Sequence, residues 1–248
     1  MPELALWKWL LGALCAFLIG VAKTGVPGIG ILAVPLFVFT VGDARLSTAW
    51  LLPILICADC YAVIAYRKKA AANALFSLLP WVMAGMALGA LVLVYPDTVI
   101  RPLVGAITLS MLLLFLWRLR FASPTPPTGW WFSGFFGTSA GFATMVANAA
   151  GPIMNIYLLS KRLPREEFVA TGAWFFFFVN LTKIPVYLAH GLFSQQSLVF
   201  DAVMIAPTLA GAMVGRKVIS LIPERTFLAV VVVLAFAATV LLFLPARR

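Results

Sequence analysis

Charged residues are scarce in this chain. Asp, Glu, Lys and Arg together make up 10% of its 248 residues, whereas soluble domains average about 25%. Apolar residues reach 63%, and the mean hydropathy is +1.06. Apolar runs this long and numerous need lipid as their solvent. The composition therefore excludes an ordinary soluble domain and predicts an all-α protein that crosses the membrane several times.

The signatures of catalysis and metal binding are also scarce. The chain has no HExxH and no P-loop, and its only histidine is His190. Cys57 and Cys60 have the spacing of a redox or metal pair, but they lie in an apolar run without a second pair. We therefore predict packed, reduced thiols, no metal, no cofactor and no enzyme activity.

Basic residues outnumber acidic ones by 18 to 8, which gives a net charge of +10. They are spread between the apolar runs and form no basic stripe, which argues against a nucleic-acid partner. Positive charge beside apolar spans instead orients a membrane protein, because cytoplasmic loops are enriched in Lys and Arg. The expected partners are therefore the lipid bilayer and, as argued below, a small anionic substrate.

Apolar runs near 20 residues predict membrane helices, since about 20 helical residues cross roughly 30 Å of hydrocarbon. A segment too long for one helix precedes each group of three runs, at 4–41 and at 130–160. We expect each to split at its Gly-rich centre into a longer piece and a re-entrant or half-crossing piece of roughly 12 residues. The predicted long spans are 46–66, 75–94, 98–117, 166–188, 199–215 and 225–244.

The apolar pattern occurs twice, which predicts one membrane domain made of two repeats, 1–120 and 130–248, joined by a Pro-rich cytoplasmic linker over 121–129. Span 46–66 ends at a basic cluster and its partner 166–188 begins beside one, so the repeats are predicted to have inverted topology. At an offset of 121, Gly20 aligns with Gly141, Gly30 with Gly151, Asp59 with Asn180 and Tyr66 with Tyr187; farther on, Gly85 and Gly89 align with Gly211 and Gly215.

Paired, glycine-interrupted segments in two halves of a membrane protein indicate a transporter's substrate site. Pro27 and four glycines must unwind 20–30, and the second-half counterpart, Thr144 through Pro152, contains Asn148, Gly151 and Pro152. Thr24 and Thr144 add hydroxyls to the two breaks. Half-helices starting near Gly28 and Gly151 would direct free N–H groups at an anion. The alternative is that the glycines only allow close helix packing.

Two lysines, Lys23 and Lys183, fall at membrane depth, where each costs about 3 kcal/mol and is a functional candidate. Asp59 is the only carboxylate deep in a span; it is either an ion-pair partner that holds the halves together or a coupling residue that exchanges a proton. Asn180, Lys183 and Tyr187 share one helical face. The predicted substrate-binding residues are Lys23, Thr24, Gly28, Gly30, Asn148, Gly151, Asn155, Asn180, Lys183 and Tyr187.

At the two broken segments the chain resembles the TauE/SafE family of membrane permeases. The likeness rests on the run Ala22–Leu36 in the first half. It differs from the family's usual pattern at Val26 and Pro27, where a denser glycine run is common, and at Ala149 and Ala150. In the second half it rests on Gly151-Pro152, Tyr157-Leu158-Leu159, Asn180-Leu181-Thr182-Lys183, Tyr187 and Gly191.

The resemblance implies a secondary transporter in a bacterial inner membrane that exports sulfite or an organosulfonate by alternating access. Three alternatives stay open. One is an anion channel of the same fold, one is a transporter for a different small organic anion, and one is a membrane enzyme or a scaffold for an enzyme. The duplicated breaks and the lack of a catalytic constellation argue against the last.

Overall fold

A computed structural model describes residues 4–24, 29–66, 70–120, 129–161 and 163–218, together with the single residues 233, 236 and 240. Over these residues all regular secondary structure is helical. The helices are α1 (Leu6–Thr24), α2 (Ile29–Val41), α3 (Ala44–Tyr66), α4 (Ala72–Val92), α5 (Asp97–Arg120), α6 (Trp130–Ala147), α7 (Gly151–Ser160), α8 (Arg165–Ala189) and α9 (Gln195–Val218).

Six of the described helices are long and apolar enough to cross a membrane: α1, α3, α4, α5, α8 and α9. Five of them correspond to predicted long spans, so the reading of a multi-pass helical membrane protein is confirmed. The predicted span 225–244 lies outside the described residues except at 233, 236 and 240, and linker positions 121–128 and Gly28 also lie outside them.

Both broken segments divide where the sequence predicts. α1 ends at Thr24 and is long enough to cross, whereas α2 has 13 residues and is too short. α6 ends with Asn148 in a left-handed conformation, at φ 53°, and the 10-residue α7 begins at Gly151. The N–H of Ala149 donates to the Ala143 carbonyl at 3.2 Å, a bond that closes the end of α6.

Glycines bring two pairs of helices into backbone contact. In the α1–α9 pair, a Cβ on Gly20 would overlap the Thr208 carbonyl oxygen, and one on Gly211 would overlap the Phe17 carbonyl oxygen. Close packing, the alternative weighed from the sequence, therefore accounts for these glycines. The α4–α6 pair has the same contacts at the aligned positions: Gly141 against the Val82 carbonyl and Gly85 against the Thr138 carbonyl.

The central helices α3 and α8 run antiparallel. Near the start of α3, the Arg45 guanidinium donates to the His190 carbonyl just past the end of α8, at 3.4 Å. Beyond the other end of α3, the N–H of Ala71 donates to Thr171 Oγ1 in the second turn of α8, at 2.9 Å. Each of the remaining described helices contacts α3 or α8.

Candidate functional site

A cavity of about 120 Å³ lies where the two broken segments meet α3 and α8. At about 30 Å³ per water, it has room for about four waters or one small anion. Apolar side chains of α1, α2 and α3 line part of it. Its polar and glycine lining consists of Lys23, Gly30, Thr144, Asn148, Gly151, Asn155 and Asn180.

Lys23 pairs with Asp59 at one side of the cavity. The Lys23 ammonium lies 2.7 Å from Asp59 Oδ1, and Asp59 is fully buried. The same ammonium lies 3.8 Å from the centre of the Phe176 ring, a cation–π contact. Lys23 keeps 15% of its side chain exposed and lines the cavity, so a ligand in the cavity would lie beside this ion pair.

Asp59 and Asn180, which occupy aligned positions of the two halves, touch each other. Asn180 Nδ2 donates to Asp59 Oδ2 at 2.6 Å. The Lys183 ammonium donates to Asn180 Oδ1 at 2.8 Å and to Asn148 Oδ1 at 2.7 Å. Asn148 Nδ2 in turn donates to the Thr48 carbonyl at 2.9 Å. A continuous polar chain therefore joins the two halves beside the cavity.

These contacts fix which way both amides face. A carboxylate and a carbonyl only accept hydrogen bonds and an ammonium only donates them. The nitrogen of Asn180 must therefore face Asp59, the nitrogen of Asn148 must face Thr48, and both oxygens must face Lys183. Each amide nitrogen has a second N–H without an acceptor among the described residues, and both asparagines line the cavity.

Lys183 is fully buried and does not itself line the cavity. Its described partners are neutral amides, whereas Lys23 has the carboxylate of Asp59. With all three groups ionised, the centre carries one uncompensated positive charge within the described structure. Burying such a charge is costly unless a counter-charge arrives, so the arrangement favours an anion.

Gly30 and Gly151 differ from the packing glycines. A Cβ built on either would meet no atom within 4 Å, and neither has a positive φ. Neither backbone conformation nor helix packing therefore requires glycine at these two aligned positions. A side chain here would occupy the cavity that both residues line.

The other predicted site residues lie elsewhere. The Thr24 hydroxyl donates to the Gly20 and Ala212 carbonyls, and the Tyr187 hydroxyl donates to the Met145 carbonyl. The bonds to Ala212 and Met145 join helices, and neither Thr24 nor Tyr187 lines the cavity. Asn148 and Asn155 both line it, but they do not share one helix, since Asn148 precedes α7 in a left-handed conformation.

Phe176 was missed by the sequence analysis. It belongs to the run Phe175–Phe178, and nothing in four consecutive phenylalanines distinguishes the one that faces a lysine. Thr144, which the sequence offers as a hydroxyl at the second break, does line the cavity. At the offset of 121 it aligns with Lys23, which also lines the cavity.

The family model of the sulfite exporter TauE/SafE matches residues 12–242. The chain belongs to this family. Its members are membrane transporters and not enzymes. No curated protein and no solved structure matches the chain.

One motif of the TauE/SafE chain resembles an enzyme signature. Residues 137–141 read G-T-S-A-G, which fits G-x-S-x-G. The nucleophile elbow needs a sharp turn from a strand into a helix. Here the whole run lies inside α6, and its glycines pack against α4. The match therefore reflects helix packing and not catalysis.

Proposed function

We propose that this protein is a secondary transporter that exports a small anion, sulfite or an organosulfonate, across the inner membrane of a bacterium by alternating access. The observation that carries the proposal is the central cavity, where two lysines and one aspartate surround amides that offer N–H groups. Membership of the sulfite exporter family supports the substrate class.

The proposed binding mode uses Lys23, Asn148 and Asn180 as direct donors to the anion. Lys183 supplies the uncompensated charge, and by donating to the side-chain oxygens of Asn148 and Asn180 it orients both amides without lining the cavity. Gly30 and Gly151 leave the space that the anion occupies. The start of α7 at Gly151 also directs the positive end of a helix dipole toward this space.

Asp59 has two roles in the proposal. It stabilises the Lys23 ammonium in the resting cavity, and it is the group that can release Lys23 to an incoming anion by taking up a proton. Proton exchange at Asp59 would couple export to the proton gradient without any cofactor. Asp59 acts through Lys23 and Asn180, since the described residues that line the cavity include no carboxylate.

Several contacts support two inverted repeats, 1–120 and 130–248. α3 and α8 occupy aligned positions and run antiparallel, as a twofold axis in the membrane plane requires. The Tyr66 hydroxyl donates to the Thr24 carbonyl, and at the same offset the Tyr187 hydroxyl donates to the Met145 carbonyl. Such halves can exchange conformations and open the cavity to opposite sides in turn.

Counterflow in proteoliposomes tests the function. We expect labelled sulfite to enter vesicles preloaded with unlabelled sulfite, with a rate that saturates as concentration rises. An anion channel would instead give a flux that is linear in concentration and shows no counterflow. Sulfonates and small carboxylates as competitors would separate the proposed substrates from other organic anions.

The matched variants are Lys183→Met and Thr182→Val. Lys183→Met removes the ammonium whose described partners are only neutral amides. We expect sulfite flux to fall at least about tenfold, because an interaction with a buried charged group contributes more than about 1.4 kcal/mol. Thr182 is next in sequence and bonds to the Val179 carbonyl, away from the cavity, so its variant should keep wild-type flux. Unchanged flux in Lys183→Met protein of normal stability contradicts the proposed role of the charge.

A further inference from the structure

One buried threonine behaves differently from the others. The buried threonines of the described residues number seven. Six of them donate to a backbone carbonyl three or four residues earlier in their own helix: Thr24, Thr40, Thr48, Thr108, Thr171 and Thr208. The seventh, Thr144, is 2% exposed, and its hydroxyl has no hydrogen-bond partner among the described residues.

The Thr144 side chain lines the central cavity. A polar group that faces a cavity and makes no hydrogen bond within the protein is satisfied by water or by a ligand in that cavity. The corresponding bond of Thr144 would be to the carbonyl of Ala140, four residues earlier in α6, and the structure does not show it. Its hydroxyl is instead left for whatever occupies the cavity.

Asn155 also lines the cavity, and its amide has no hydrogen-bond partner among the residues that the structure describes. It lies in α7, on the same broken segment as Thr144 in α6. These two groups are neutral and can both donate and accept. The groups around Lys23, by contrast, are a cation and two amides whose oxygens are already occupied by Lys183.

We propose that Thr144 and Asn155 form a subsite for an uncharged hydrogen-bonding substituent of the transported anion. The inference rests on the proposed function, in which Lys23, Asn148 and Asn180 bind the charged head. The preferred ligand is then a small oxyanion that carries a hydroxyl or amide group on one or two carbons.

The cavity volume agrees with a ligand of this size. An apolar cavity of about 150 Å³ holds benzene, which has six non-hydrogen atoms. The volume here is about 120 Å³. A sulfonate head of four non-hydrogen atoms therefore leaves room for a short substituent and for little more.

Two sulfonates of equal charge and equal atom count test the subsite. Isethionate has a terminal hydroxyl where 1-propanesulfonate has a methyl group. We expect the purified wild-type protein to bind isethionate about tenfold more tightly in calorimetric titrations, because its hydroxyl gains a hydrogen bond in the cavity that the methyl group cannot make. Thr144→Val, which preserves the shape of the side chain, should bring the two affinities within about twofold by weakening isethionate alone.

Thr108→Val is the control, since Thr108 is a buried threonine of α5 that already donates to the Val104 carbonyl. It should keep the tenfold preference, and Asn155→Leu should reduce it. An equal affinity of wild-type protein for both sulfonates, or a preference that survives Thr144→Val, overturns the inference while sulfite binding leaves the proposed function standing. Failure to bind sulfite and both sulfonates overturns the proposed function, and the subsite with it.

Discussion

The two broken segments have similar glycine contacts at aligned positions, but the side chains that they place in the cavity differ in charge. Gly20 of the first and Gly141 of the second each contact the carbonyl of a partner helix at aligned positions. Each break is followed by a glycine that leaves the cavity open, Gly30 or Gly151. Yet the cavity-lining residue at one aligned pair is Lys23 in the first half and Thr144 in the second. The aligned positions therefore share their glycine contacts but differ in charge.

The same contrast continues at the centre. Asp59 is aligned with Asn180, and Lys183 is aligned with Ala62. A fully symmetric centre would place two carboxylates or two amides in the contact that Asp59 and Asn180 now make at 2.6 Å. Two carboxylates there would repel each other and any anion. With one amide in place of the second carboxylate, the contact between Asp59 and Asn180 leaves the centre with the positive charge that an anion needs.

The largest expected effect comes from adding a second carboxylate to the centre. Asn180→Asp adds a carboxylate beside Asp59 and within reach of Lys183, which cancels the uncompensated positive charge. We expect sulfite affinity to fall at least about a hundredfold, since opposing charges in a buried site change binding by several kcal/mol. Titration of purified protein with sulfite measures it.

The opposite change, Asp59→Asn, is the control for that experiment. It also makes the centre symmetric, but with two amides, and it increases the positive charge. Sulfite binding should persist in this variant. An affinity of Asn180→Asp within a few-fold of wild type would show that charge at this contact does not select the anion.

The ion pair of the first half has no counterpart in the second, and its removal tests whether it is only structural. Lys23→Met leaves Asp59 buried without its partner, which costs about 3–5 kcal/mol of stability when one member of such a pair is lost. The double variant Lys23→Met/Asp59→Leu should recover most of that stability, because apolar residues replace a buried pair at little cost.

Transport separates the two interpretations of this pair. If Lys23 and Asp59 only hold the helices together, the recovered double variant transports sulfite normally. We expect it to fold, by thermal unfolding in detergent, and yet to lose counterflow, because the donor that reaches the cavity is gone. Normal counterflow in the double variant would reduce the pair to a structural role.

The two kinds of glycine predict opposite phenotypes in both halves. Gly20→Ala and Gly141→Ala force a methyl group into a neighbouring carbonyl, which costs about 1–3 kcal/mol of stability. Gly30→Ala and Gly151→Ala meet no atom and should unfold at the wild-type temperature, but their methyl groups enter the cavity and should weaken sulfite binding. A stability loss at Gly30 equal to that at Gly20 would contradict the distinction.

Much of this fold was predictable from the sequence. Apolar length located α3, α4, α5, α8 and α9, and the glycine and proline breaks located the ends of α1 and α6. These features depend on local composition and on the thickness of the bilayer. The role of each glycine was not predictable, because packing glycines and cavity glycines look alike in one sequence and differ only in what lies opposite their α-carbons.

The site was predictable at the level of residue types. A lysine, an aspartate and an asparagine at membrane depth indicate function because lipid makes them costly. Which of them face the cavity depends on contacts between the two halves, such as that of Lys183 with Asn148. The spacing of residues within one helix does not predict contacts between helices. Lys183 is therefore predicted to bind the substrate, whereas in the structure it contacts Asn148 and Asn180 and does not line the cavity.

The smallest expected effect concerns the two aligned tyrosines. Tyr66→Phe and Tyr187→Phe each remove one hydrogen bond to a backbone carbonyl, of Thr24 and Met145 respectively. Each loss should cost about 1 kcal/mol. Tyr187 is fully buried and Tyr66 only partly, so water can replace the lost donor at Thr24 but not at Met145. Thermal unfolding in detergent should therefore show the larger shift for Tyr187→Phe, and equal shifts would mean that both carbonyls are equally hydrated in the variants.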